Sequence, residues 1–111
     1  MIIAIQNLHH LHIIHGDLKP ENILFKSYNP LIIKVADFGN SFFFHDKKAP
    51  YIQSRSYRSP EVLLGLHYNE KIDLWGLGCI IGELWTKDIL FSSHSVASLL
   101  ASIQGTIGPW S

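Results

Sequence analysis

An aspartate, a lysine and an asparagine sit close together in His15-Gly16-Asp17-Leu18-Lys19-Pro20-Glu21-Asn22-Ile23-Leu24. Fifteen residues after Asn22 a second carboxylate opens the triplet Asp37-Phe38-Gly39. Asp17 can receive the proton of an acceptor hydroxyl, and Lys19, two residues on, can neutralise a transferring phosphoryl group. Asn22 offers a neutral oxygen and Asp37 a charged one, the hard donors that magnesium prefers. Phosphoryl transfer asks a protein mainly for positioning and charge neutralisation, and these residue types can supply both. Gly39 supplies backbone freedom for Asp37 to swing into position, and Phe38 is expected to bury as the anchor. Alone, an Asp-x-Lys is a surface pair and an Asp-Phe-Gly is a turn. The joint spacing makes the argument.

Positioning falls to short apolar runs. Ile13-Ile14 leads into the polar loop, and Ile23-Leu24-Phe25 leads out of it. Two strands flanking the loop would set Asp17, Lys19 and Asn22 on one ledge. Lys26-Ser27-Tyr28-Asn29-Pro30 reads as a turn joining Ile23–Phe25 to a strand over Leu31–Ala36, a hairpin-like pair from which Asp37 departs. Upstream, Ile2, Ile5, Leu8 and Leu11 approach helical spacing. That helix starts at Met1 with no capping residue before it, as a truncated helix would. His9, His12 and His15 are three apart, but no cysteine or carboxylate lies among them. Exposed or hydrogen-bonding histidines are therefore the better reading than a metal site.

Downstream, a polar loop runs from Gly39 to Ser59, with Phe42-Phe43-Phe44 as a hydrophobic anchor for its base. Ser59-Pro60-Glu61-Val62-Leu63-Leu64 starts a short helix with proline at its first position, and Gly65 ends it. Asn69 to Lys87 holds a helix apolar on nearly every side, the pattern of a buried one. Gly76, Gly78 and Gly82 each cost it ~1 kcal/mol of propensity against alanine, which close packing must offset. Ser95 to Gln104 reads as a further amphipathic helix, with Val96, Leu99, Leu100 and Ile103 apolar and Ser92–Ser95 offering caps.

The 111 residues are 47% hydrophobic and 16% charged, with no formal net charge, a globular composition without general attraction to nucleic acid or anionic membrane. The one cysteine, Cys79, excludes an internal disulfide framework and suits a reducing compartment. The N-terminus lacks the pattern of a signal peptide, and the greasiest stretch, Leu74 to Leu84, is well short of the ~20 residues that cross a bilayer. An intracellular protein, cytoplasmic or nuclear, is expected. A chain of this length buries one modest core, roughly two-thirds of its unfolded surface.

The loop at residues 15–24 and the triplet at 37–39 resemble the catalytic loop H-x-D-L-x-x-x-N and the D-F-G of protein kinases. The likeness runs nearly end to end. Tyr51-Ile52-Gln53-Ser54-Arg55-Ser56-Tyr57-Arg58-Ser59-Pro60-Glu61 narrows it to the activation segment of dual-specificity tyrosine-regulated kinases, the DYRK family. The resemblance implies an α+β fold: the mostly helical C-terminal lobe of a kinase, with a small strand pair around the catalytic loop and no N-terminal lobe. Residues 1–111 would be one partial domain, with the activation segment at 37–61 and a central buried helix at about 72–86.

The resemblance further implies ATP and Mg2+ as cofactors and protein substrates phosphorylated on serine and threonine. Asp17, Lys19, Asn22 and Ser54 would be catalytic, with Ser54 touching Asp17 and Lys19. Lys19, Glu21, Asn22, Leu24 and Asp37 would meet the nucleotide and its metal, which Asn22 and Asp37 ligate, while Leu24 floors the adenine pocket. Tyr51 would be the self-phosphorylated tyrosine, read by Arg55 and Arg58 through charge-assisted contacts. His15, Phe38, Glu61 and Asp73 would be structural, Asp73 bracing the catalytic loop through its backbone N–H groups.

The pattern departs from the family in places. Gly16 stands where the family usually has arginine, and Ser59 where it has alanine. Glu61 lacks the later arginine it normally pairs with. Upstream there is no Gly-rich loop, strand lysine or helix glutamate, so the partners include a missing N-lobe or complementary kinase segment. A rival expectation is a non-catalytic fragment that binds kinase partners or substrates. Another is that the central helix lacks the neighbours it needs for the chain to fold alone.

Overall fold

The computed structural model describes residues 1–46, 52–92 and 95–108. Its elements are α1 (Ile2–His10), β1 (Ile13–Ile14), β2 (Ile23–Tyr28), β3 (Leu31–Val35), β4 (Phe42–Phe43), α2 (Pro60–Leu63), α3 (Lys71–Thr86) and α4 (Val96–Ile107). Single 3-10 turns lie at Pro20–Asn22 and Arg55–Tyr57. The result is a small mixed domain of helices and strands.

β2 and β3 pair antiparallel from Ile23↔Val35 to Tyr28↔Leu31, with an irregularity between Phe25 and Ser27. The hairpin is longer than the sequence suggested. Tyr28 remains in the strand, so the turn contracts to Asn29-Pro30. A second sheet, absent from the sequence reading, joins β1 to β4 through Ile13↔Phe43 and Ile14↔Phe42. Alternation then separates the phenylalanines. Phe42 is buried, Phe43 is 48% exposed, and Phe44 sets its ring against His12 and His9. The aromatic triplet does anchor the base of the loop, by strand pairing.

Two clusters form the core. Ile5, Leu18, Tyr57, Cys79, Ile80, Phe91, Leu99 and Ile103 build the larger, where Trp75 stacks on Phe91. Ile14, Phe42, Ile52, Val62 and Ile72 build the smaller, beneath the loop. Helix ends follow local chemistry. Pro60 opens α2, Gly65 follows it at φ +69°, and the Ser95 hydroxyl caps α4 by accepting from the Ser98 N–H.

The reading of α3 as buried all round needs correction. Ile72, Asp73, Gly76, Leu77, Cys79 and Ile80 are buried, whereas Leu74, Ile81 and Leu84 are exposed and Trp85 is 89% exposed. Apolar side chains record a preference for cover, and the elements present cover one face only. The glycines divide in the same way. A Cβ on Gly76 would lie 3.3 Å from the Leu18 Cβ, and one on Gly82 would lie 2.8 Å from Leu90 Cδ2, but Gly78 faces open space.

Candidate active site

The loop at residues 15–22 is held from below by α3. Asp73 is fully buried, and its carboxylate accepts the His15 N–H at 2.8 Å, the Gly16 N–H at 3.0 Å and His9 Nε2 at 3.0 Å. The loop is also held from the side. His15 Nδ1 accepts the Asp17 N–H at 3.1 Å, so Nε2 carries the proton and donates to the Ala36 carbonyl at 2.8 Å. Asn22 donates its side-chain amide to the Asp17 carbonyl, and its own carbonyl accepts the Ala36 N–H, both at 2.8 Å. Ala36 thus joins the loop to the residue before Asp37.

Asp17 is 7% exposed, and polar groups from three separate segments meet at it. The Ser54 hydroxyl donates to Asp17 Oδ1 at 2.8 Å and accepts from Lys19 Nζ at 3.0 Å. Lys19 Nζ also lies 3.6 Å from Asp17 Oδ2, and the Asn40 side-chain amide donates to that oxygen at 3.4 Å. A hydroxyl, an ammonium and an amide therefore meet at one carboxylate. This is a suitable setting for a group that must accept a proton from a fixed direction.

Asp37 is exposed, with φ +59°, and its Oδ1 accepts the Gly39 N–H at 3.2 Å. Phe38 does not bury as the sequence reading required. It is 46% exposed, its ring edge-on to His15 at 5.2 Å, because it overhangs a shallow groove lined by Ala4, Leu8, Leu11, Ile33 and Val35. Leu24 is 51% exposed and Glu21 is exposed on the short turn before Asn22.

Tyr51 lies outside the described residues, and so does any contact it makes with Arg55 or Arg58. Arg58 donates from Nε to the Ile52 carbonyl at 2.9 Å and from a terminal nitrogen to the Gln53 carbonyl at 2.8 Å. Arg55 is exposed on the turn that follows Ser54, and Glu61 is half-buried in the first turn of α2. Tyr57 donates to the Glu83 carboxylate. Burial, followed by that bond and the charge of Glu83, pushes the Tyr57 hydroxyl above its ordinary range. Burial and the same charge push the Cys79 thiol up to about 12.

Two structural contributors escaped the sequence reading. Gln53, at φ +68°, donates to the Ile72 carbonyl and accepts the Ser59 N–H, both at 2.9 Å, tying the segment after Tyr51 to α3 and α2. Asn40 is the other. As polar loop residues, neither carries a periodic signal. His9 and His15 are hydrogen-bonded to Asp73 and to the Ala36 carbonyl, and no group of three or more His, Cys, Asp or Glu among the described residues could hold a metal.

The protein kinase domain family matches residues 1–107. The chain belongs to that family. It is 53% identical over 96 residues to the dual specificity tyrosine-phosphorylation-regulated kinase 2 of Drosophila melanogaster, a match covering 86% of this chain and 13% of that protein. It is 46% identical over 105 residues to kinase 3 of the same name from Homo sapiens, covering 95% and 18%. To the serine/threonine-protein kinase ppk5 of Schizosaccharomyces pombe it is 44% identical over 106 residues, covering 96% and 13%. The chain is a DYRK-family kinase sequence that spans 13% to 18% of these relatives' length.

Proposed function

We propose that this chain carries the catalytic-loop and activation-segment part of a protein kinase that moves a phosphoryl group from magnesium-bound ATP to serine and threonine hydroxyls of proteins. It corresponds in this reading to the C-terminal-lobe portion of the domain, acts inside the cell, and self-phosphorylates on Tyr51 during maturation. The observation that carries the proposal is the meeting of Asp17, Lys19 and Ser54 at 2.8–3.6 Å. Asp17 accepts the proton of the incoming hydroxyl, and Lys19 balances charge on the transferring group. Ser54, donating to one and accepting from the other, keeps both in register.

The donor set fits the expected metal. The Asn22 amide nitrogen is committed to the Asp17 carbonyl, which leaves its amide oxygen, alongside Asp37, for a hard cation. When bound, magnesium supplies charge neutralisation at the phosphates. Glu21 and Leu24 are both exposed, and in this reading they are available to meet the nucleotide.

A second reading has an observation of its own. The bare groove beneath Phe38 and the exposed α3 face favour a binding role, in which the chain associates with a complementary kinase segment. The discriminating protein is a chimera in which residues 1–107 replace the matching stretch of the Drosophila relative. The phosphotransfer reading expects Asp17→Asn to keep magnesium-supported ATP binding and lose transfer, and Asp37→Asn to lose the magnesium dependence of binding. Mass spectrometry of the same chimera should find phosphate on Tyr51. An inactive chimera that folds and still binds its partners would support the binding role instead.

A further inference from the structure

The structure leaves one polar contact at the proton acceptor outside the mechanism. Asn40 follows the Asp37-Phe38-Gly39 triplet in a turn closed by Ser41, whose N–H and hydroxyl both donate to the Phe38 carbonyl, at 3.0 and 2.7 Å. Two residues later Phe42 enters the strand pair with Ile14. The backbone of Asn40 is thus fixed on both sides, independently of its side chain.

The catalytic loop is shaped to admit it. Gly16 has φ +81°, and a Cβ there would lie 2.9 Å from the Asn40 carbonyl oxygen and 3.3 Å from the Phe42 ring. A side chain at residue 16 would be strained and would push this segment away. With glycine there, the Asn40 amide reaches Asp17 Oδ2 at 3.4 Å, opposite the oxygen that accepts from Ser54.

We propose that Asn40 is a positioning residue for Asp17, and that Gly16 is the clearance that lets it approach. Two neutral donors, one on each carboxylate oxygen, fix the plane of the carboxylate. Each oxygen retains a second lone pair, so the proton-accepting capacity is kept. Because the amide is uncharged, it orients Asp17 without adding to the charge that Lys19 brings. The inference rests on the phosphotransfer reading for its consequence but not for its geometry.

Two experiments separate these. In the 111-residue chain, NMR should show the Asp17 carboxyl-carbon resonance moving in Asn40→Leu, and the Asn40 side-chain amide resonances moving in Asp17→Asn. In the chimera, Asn40→Leu should lower kcat about fivefold, the worth of one modest hydrogen bond, with KM for ATP unchanged. Asn40→Gln, which keeps the donor on an exposed and adaptable side chain, should recover most of that loss. Unmoved resonances, or an unstructured spectrum of the wild-type chain, overturn the proposal. So does an unchanged kcat in Asn40→Leu, or an equal loss in both Asn40 variants. If the chimera with Asn40 intact transfers nothing, the phosphotransfer reading fails and the reciprocal resonance shifts decide the positioning.

Discussion

Replacing Asp73 with alanine tests the support beneath the catalytic loop. The carboxylate is fully buried and accepts two backbone N–H groups, from His15 and Gly16, together with the ring of His9. Removing it leaves both amides without a partner, 2.8 and 3.0 Å from where the oxygens stood. Each buried, unsatisfied donor costs about 1–3 kcal/mol, so the two amides together cost about 2–6 kcal/mol. Water admitted to the vacated space moves the result toward the lower end. Against the roughly 5–15 kcal/mol that stabilises a typical domain, that is a large fraction. Asp73→Asn keeps the shape and one acceptor oxygen, so its cost should fall between alanine and wild type. Urea unfolding measures the total, and hydrogen exchange at His15 and Gly16 reports whether the loss is local. A cost below about 1 kcal/mol for Asp73→Ala, with exchange at those two amides unchanged, would show that Asp73 does not hold the loop.

Other expectations follow from burial and close approach. Cys79 ordinarily ionises at 9.0 and is pushed to about 12 here, while the Tyr57 hydroxyl is raised from 10.0. Both folded-state values lie above the unfolded ones, so their contribution is fully present below pH 9.0 and declines as pH rises toward about 12. Denaturation midpoints should therefore fall across that interval, and Cys79 should resist thiol reagents at pH 8 until the chain unfolds; prompt labelling would contradict the burial. Gly16→Ala combines a left-handed backbone with a 2.9 Å approach to Asn40 and should destabilise by at least ~1 kcal/mol in urea unfolding. Gly78→Ala meets nothing within 4 Å and should stabilise α3 by up to ~1 kcal/mol in the same measurement. The opposite order of these two would contradict both the close approach of Asn40 to Gly16 and the open space beside Gly78.

Much of the site was legible because its signals are local. Asp17, Lys19 and Asn22 lie within six consecutive residues, Asp37 follows an apolar strand, and Ser54 sits in a motif-bearing stretch. Proline at the start of α2, Gly65 after it and Ser95 before α4 are likewise short-range cues. The pairing of β1 with β4 was not legible. Two strands of two residues each, joined across the loop, are too short to show alternation. The exposure of Phe38 and of one face of α3 departs from the hydropathy pattern for a related reason. Hydrophobicity identifies side chains that favour cover, whereas cover depends on neighbours brought in by tertiary structure. Asn40 and Gln53 act through single hydrogen bonds from loop positions, and only the folded geometry reveals them.

In the proposed phosphoryl transfer Asp17, oriented by Lys19 and Ser54, serves as the proton acceptor. The most direct test of that role is single-turnover transfer from labelled ATP to a protein substrate, in the chimera bearing residues 1–107, with Asp17 intact and with Asp17→Asn. The account predicts measurable transfer with aspartate and a loss of roughly 10²–10⁴-fold with asparagine, at unchanged ATP affinity. Transfer at the same rate in the Asp17→Asn protein would contradict it.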